Sequence, residues 1–83
     1  MKAAVYRGPG RLAVEDVPTP PCPRDGVLLK VEACGICGSD LRTYTSGIRF
    51  DKEWQILGHE IAGVIAEVGD AVDDYAVGDR LAI

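Results

Sequence analysis

Cys37 and His59 are the two side chains of this sequence best suited to hold a metal ion together, one through a thiolate and the other through an imidazole nitrogen. They lie 22 positions apart, a separation that folding can close. Borderline-soft zinc suits both donors. Asp40 follows Cys37 by three residues and can orient an imidazole. Glu60, beside His59, reads as a direct ligand, a charge behind the ligands, or a solvated rim carboxylate. A catalytic zinc usually takes three protein ligands and keeps a fourth position for water or substrate, so at least one ligand is still to be found. Cys22 is a poor candidate, because Pro21 and Pro23 stiffen the loop that carries it. The bland reading of His59, the only histidine, is a structural one.

Three other patterns have plainer explanations. Cys34-Gly35-Ile36-Cys37 is a C-x-x-C that would serve a dithiol redox pair or half a zinc knuckle. The first needs surrounding βαβ units and the second needs another C-x-x-C, and the sequence offers neither. Gly8, Gly10 and Ala13 fit G-x-G-x-x-A formally, but Pro18 and Pro20 follow too closely for a nucleotide-binding helix, which leaves a hairpin turn. Phe50 and Trp54 read as loop packing, and Asp70, Asp73 and Asp74 as solvated turns.

A chain of 83 residues must position these groups within one small domain that buries little surface. Apolar residues at 47% and charged ones at 27% exclude a disordered tail. A net charge of −4 has the wrong sign for a phosphate backbone, so nucleic acid is not an expected partner. No apolar run approaches the ~18 residues of a membrane span, so the expected location is the cytoplasm, with no membrane partner. An odd cysteine count points to metal or catalytic use rather than to disulfides.

The elements follow from periodicity and breakers. Lys2–Arg7 and Arg11–Val17 read as a hairpin around Gly8-Pro9-Gly10, and Pro18 to Gly26 as a rigid connector. Val27–Ala33 is a strand with one wet face. Ser39 or Asp40 is the expected N-cap of a helix of about two turns through Thr45. Arg49–Gln55 reads as loop, Ile61–Val68 as a buried strand, and Arg80–Ile83 as the start of a strand that looks cut. One helical window among five strand-like segments predicts a mainly β domain with barrel-like connectivity.

The residues resemble the zinc-dependent medium-chain alcohol and polyol dehydrogenases, specifically their N-terminal catalytic domain of GroES-like fold. Gly58, His59, Glu60, Gly63, Gly69 and Val72 satisfy the family's zinc signature at every fixed position, and ACGICGSDL and VGDR are also typical. The resemblance covers residues 1–83 and implies a partly open barrel with one short helix. It makes Cys37 and His59 zinc ligands and Glu60 the acidic neighbour that approaches the metal as water exchanges. Asp40 becomes the carboxylate behind the imidazole, and Ser39 the hydroxyl that contacts the substrate oxygen and begins a proton relay. Cys34 has no metal role in that pattern. The third ligand, a structural zinc and a Rossmann domain for NAD or NADP are expected beyond Ile83, and the full-length protein is expected to be a homo-oligomer.

One position departs from the pattern. Many relatives carry histidine where this chain has Arg42, and guanidinium cannot relay a proton in the same way. Either water and cofactor hydroxyls take over, or Arg42 binds a cofactor phosphate. The implied activity is oxidation of a primary or secondary alcohol by zinc-assisted hydride transfer to NAD(P), with the 83-residue chain inactive alone. Two other readings are a metal-free structural module of chaperonin-10 type and a zinc-free quinone reductase. The first does not require Cys37, Asp40 and His59, and the second characteristically lacks the cysteine and histidine. The particular alcohol and the choice of NAD or NADP are not encoded in these residues.

Overall fold

A hairpin forms where Gly8, Pro9 and Gly10 interrupt two apolar runs. Strand β1 (Lys2–Tyr6) and strand β2 (Leu12–Asp16) pair antiparallel from Lys2↔Asp16 to Tyr6↔Leu12. The turn closes with Arg7 N–H donating to the Arg11 carbonyl at 2.9 Å and Arg11 N–H to the Gly8 carbonyl at 2.9 Å. The computed structural model describes residues 1–47 and 51–83. The described chain divides into two units, each built from two separate stretches: Met1–Pro18 with Ile36–Gly58, and Thr19–Gly35 with His59–Ile83.

In the first unit the hairpin gains a third strand, β4 (Gln55–Ile56), through Val5↔Ile56 and Tyr6↔Gln55. It also carries helix α1 (Gly38–Ser46). The helix is fastened to the hairpin at its C-terminal end: the Tyr6 hydroxyl donates to the Thr43 carbonyl, and Gly10 N–H to the Tyr44 carbonyl at 3.0 Å. The rings of Tyr6 and Tyr44 lie 6.5 Å apart, tilted by 45°. Val5 and Tyr6 are buried here. Gly47 ends the helix in a left-handed conformation with φ of 74°, its N–H donating to the Thr43 carbonyl at 2.8 Å. On the hairpin surface Arg7 grips Glu15 through two bonds of 2.8 and 3.2 Å, and Lys2 pairs with Asp16 at 2.8 Å.

The second unit is a sheet in the order β3-β5-β6. Strand β3 (Val27–Gly35) runs antiparallel to β5 (Glu60–Val68), which pairs in turn with β6 (Arg80–Ala82). The β3–β5 ladder slips between Leu28 and Leu29 and again between Val31 and Ala33, then ends on Gly35↔Glu60. Gly63 sits so close to β3 that a Cβ there would collide with the Lys30 carbonyl. Gly69 is packed equally tightly against the carbonyls of Pro23 and Arg24, where the proline-rich connector returns to the sheet.

Several boundaries differ from expectation. The helix is capped by Cys37, not by Ser39 or Asp40, and the two-residue strand β4 replaces the end of the expected 49–55 loop. Ile48, Arg49 and Phe50 lie outside the described residues, and with them the packing expected of Phe50. The run Ile61–Val68 is less buried than its apolar character suggested: only Gly63 and Ile65 are buried. They share one side of β5, whereas Ala62, Ala66 and Glu67 are exposed. Alanine reads as apolar in a sequence window but buries little. Beyond Leu29, β3 is exposed on both faces rather than one.

Candidate metal and substrate site

The N-terminus of α1 gathers three of the sequence-selected residues. Cys37 takes the N-cap position with φ −113° and ψ 176°. Asp40, at the third helical position, reaches back to accept the Cys37 N–H at 3.1 Å. The Cys37 sulfur lies toward the Asp40 amide, which makes the reciprocal arrangement of a capping box with a thiol in place of the usual hydroxyl. The Ser39 hydroxyl lies 2.9 Å from the Cys37 sulfur. Cys37, Ser39 and Asp40 are half-buried, whereas Arg42 is exposed on the same helix. The Arg42 carbonyl accepts the Ser46 hydroxyl at 2.6 Å.

Asp40 therefore has a structural duty that its assignment as an imidazole partner did not include. It satisfies a helix N–H and sets the backbone that aims the thiol. No sequence rule flagged Cys37 as a cap, because cysteine is outside the usual Ser, Thr, Asp and Asn set.

In the second unit His59 is exposed and immediately precedes β5, whose first residue is Glu60. Gly58 turns the chain into this strand with φ of 114°, a conformation that favours glycine. Glu60 pairs with Gly35 at the last rung of the β3–β5 ladder. Cys37 follows Gly35 by two positions in sequence, and His59 precedes Glu60 by one. The first unit thus offers a thiol and a carboxylate, from Cys37 and Asp40, and the second an imidazole and a carboxylate, from His59 and Glu60, donor types that suit zinc.

The remaining cysteines are placed apart from this role. The Cys22 sulfur is set against backbone carbonyls of its own unit, 3.6 Å from Pro23 and 3.7 Å from both Gly26 and Glu67. Cys34 is exposed near the end of β3, 3.6 Å from the Gly35 carbonyl. Trp54 is 43% exposed in an open concavity that it lines with Lys52, Glu53, Gln55 and Ile56. Among the described residues no helix is long and apolar enough to cross a membrane.

Comparison with known proteins bears on the same residues. Residues 23–83 match the family described as the alcohol dehydrogenase GroES-like domain. The chain is 49% identical over 87 residues to a sorbitol dehydrogenase of Bacillus subtilis, covering 100% of this chain and 24% of that protein. It is 37% identical over 94 residues to (R,R)-butanediol dehydrogenase of the same organism, covering 100% of this chain and 27% of that protein. Its fold superposes with a TM-score of 0.89 on zinc dependent alcohol dehydrogenase 2 from Streptococcus pneumonia in its apo form. There the identity is 32%, with 100% of this chain and 24% of the other covered. The chain thus spans about a quarter of the length of the relatives it matches. The expected mainly β, GroES-like fold with one short helix is borne out, as two open three-stranded sheets rather than a closed barrel. With a cysteine at the helix N-cap, a Gly-His-Glu entry to β5 and a matching family pattern across most of its length, this chain belongs to the alcohol dehydrogenase GroES-like domain family.

Proposed function

We propose that residues 1–83 are the N-terminal part of the catalytic domain of a zinc-dependent, NAD(P)-linked alcohol or polyol dehydrogenase. The observation that carries this reading is the family match over residues 23–83, the stretch that holds Cys37, Ser39, Asp40, His59 and Glu60. In this reading Cys37 and His59 hold one zinc ion, and a third ligand comes from elsewhere in the protein. When bound, zinc supplies a Lewis acid that lowers the pKa of a substrate hydroxyl.

The chain's own residues do the rest at this end of the site. Ser39, beside the sulfur, accepts the proton from the substrate hydroxyl and begins its path to solvent. Asp40 fixes the helix start and orients the imidazole. Glu60 is the carboxylate that approaches the metal as water exchanges. Arg42, exposed on α1, binds a phosphate of the cofactor, or leaves the later relay to water and cofactor hydroxyls. The nicotinamide cofactor, NAD or NADP, is held by a Rossmann domain outside these residues, because the described chain contains no βαβ unit.

The names of the matched relatives support a vicinal diol or polyol as substrate, since sorbitol and butanediol share that grouping. A small-molecule substrate, a cytoplasmic location and a homo-oligomeric complete protein go with this reading. The 83 residues alone are expected to be inactive, and turnover of any alcohol by the purified chain with NAD or NADP would overturn that.

Metal analysis of the complete protein tests the core of the proposal. Zinc at the site, lost on replacing Cys37 or His59, is the expected result. Full activity with zinc absent would instead favour a zinc-free reductase.

A further inference from the structure

Strand β2 is the outer strand of its sheet, whose order is β2-β1-β4. Which of its backbone groups face outward follows from the bonds at the two ends of the hairpin. Arg7 N–H donates to the Arg11 carbonyl at 2.9 Å, Val17 N–H to the Met1 carbonyl at 2.9 Å, and the Met1 ammonium to the Val17 carbonyl at 2.7 Å. Arg11 and Val17 thus bond inward. In an antiparallel ladder every second residue does the same, so Ala13 and Glu15 also spend their backbone groups on β1. Leu12, Val14 and Asp16 turn theirs outward, and among the described residues no other strand lies along that edge.

The side chains make the edge self-complementary. Leu12 and Val14 share one face of β2 and are 45% and 73% exposed. No lysine or proline blunts the run from Leu12 to Asp16, although Pro9 and Pro18 stand near its ends and limit its length. Laid antiparallel against a second copy with Val14 opposite Val14, Leu12 meets Asp16 of the other copy. Outward-facing residues then oppose outward-facing residues at every rung, so each rung is hydrogen-bonded. On one face the two Val14 side chains meet with Leu12 diagonal to each, a β-branched and apolar cluster. On the other face Arg11, which is exposed, lies diagonal to Glu15 of the second copy, within reach of a long side chain. Opposite charges meet there twice, once on each side of the axis.

We propose that the edge of β2 is a contact between two copies of the complete protein, joining their β2-β1-β4 sheets across a two-fold axis at Val14. Such a contact uses up the same edge in both copies, so it closes as a pair and does not propagate into a fibre. It gives the proposed homo-oligomer a definite surface, and it is independent of the metal reading.

The test is the native mass of the complete protein by analytical ultracentrifugation over a range of concentrations. Val14→Pro removes an N–H that the hairpin does not use, so the ladder to β1 is kept while the central rung between copies is lost. The expected result is a twofold fall in mass with an unchanged circular dichroism melt and unchanged zinc content. Val14→Lys sets like charges opposite each other on the axis and should halve the mass without altering the backbone. Should Val14→Pro fail to fold, Val14→Lys and a mixing experiment decide. Arg11→Glu and Glu15→Arg should each lower the mass alone, and an equal mixture of the two should regain it, because each copy then offers the other an opposite charge at both contacts. A folded Val14 variant that keeps the parent mass, or a mixture no heavier than its components, overturns the β2 contact and leaves the homo-oligomer to another surface. A parent that is monomeric at every concentration overturns both. Failure of the metal reading shows separately, as a parent without zinc whatever its mass.

Discussion

The hydroxyl of Tyr6, on β1, donates to the carbonyl of Thr43 in the last turn of α1, so one side chain of the hairpin holds the helix that Cys37 caps. Tyr6 is fully buried. Thr43 keeps a second donor, the Gly47 N–H at 2.8 Å, when the hydroxyl is removed. Tyr6→Phe is therefore expected to cost about 1 kcal/mol, a typical single hydrogen bond, rather than the larger penalty of an orphaned carbonyl. Chemical denaturation of the two proteins checks the value.

Gly63 sets a harsher limit. Alanine there drives a methyl into the Lys30 carbonyl across the β3–β5 ladder, and backbone atoms cannot rotate aside as a flexible side chain can. Gly63→Ala is expected to destabilise by about 1–3 kcal/mol or to prevent soluble folding. Soluble yield and the far-ultraviolet circular dichroism melt report which.

Cys37→Ser separates the metal from the fold. Serine is a better N-cap than cysteine, so α1 should persist with Asp40 still on the residue-37 N–H, while the soft ligand is gone. The expected result is an unchanged helical signal with the complete protein holding about one zinc ion fewer than the parent. Retention of zinc in the serine variant would remove Cys37 from the ligand set.

Ser39→Ala should behave in the opposite manner. Its hydroxyl neighbours the sulfur without being a proposed ligand, so zinc content should hold while kcat in the complete enzyme falls by about 100-fold. Equal loss of zinc and rate would make Ser39 a support for the thiol and not a proton acceptor.

The ion pair on the hairpin has a defined pH signature. The hydrogen bond from Arg7 holds the Glu15 carboxyl below its usual range, partial desolvation opposes this, and the Arg7 charge adds to the lowering. A carboxyl depressed in the folded state contributes stability that is complete above its unfolded pKa and is lost as pH falls through the folded one. The melting difference between the parent and Glu15→Gln should accordingly be constant near neutrality and shrink below about pH 4. It should be small throughout, because both side chains are solvent-accessible.

The hairpin was legible from sequence because its breakers and its alternation agree, and the structure reproduces it to within a residue at each strand end. Cys37 and His59 were legible as chemistry because thiol and imidazole are scarce, Asp40 and Glu60 because they stand near them in sequence, and Ser39 only through the family pattern. The cap at Cys37 was not, since a thiol is a weak acceptor and the bond that makes the cap comes from Asp40. Strand β4 escaped notice because two residues carry no periodicity and owe their state to β1. Gly35 was noticed only as punctuation. It lies opposite Glu60 in the β3–β5 ladder, a register that no local window contains.

That register has a counterpart in time. Both sheets are stitched from an early and a late stretch of the polypeptide: β1 waits for Ile56, and β3 waits for Glu60 through Val68. On a ribosome the hairpin can close soon after it emerges, but β3 stays without its β5 neighbour until residues 60–68 have been translated. The exposed Val31 and Cys34 make that interval the one in which this chain is most open to wrong pairing.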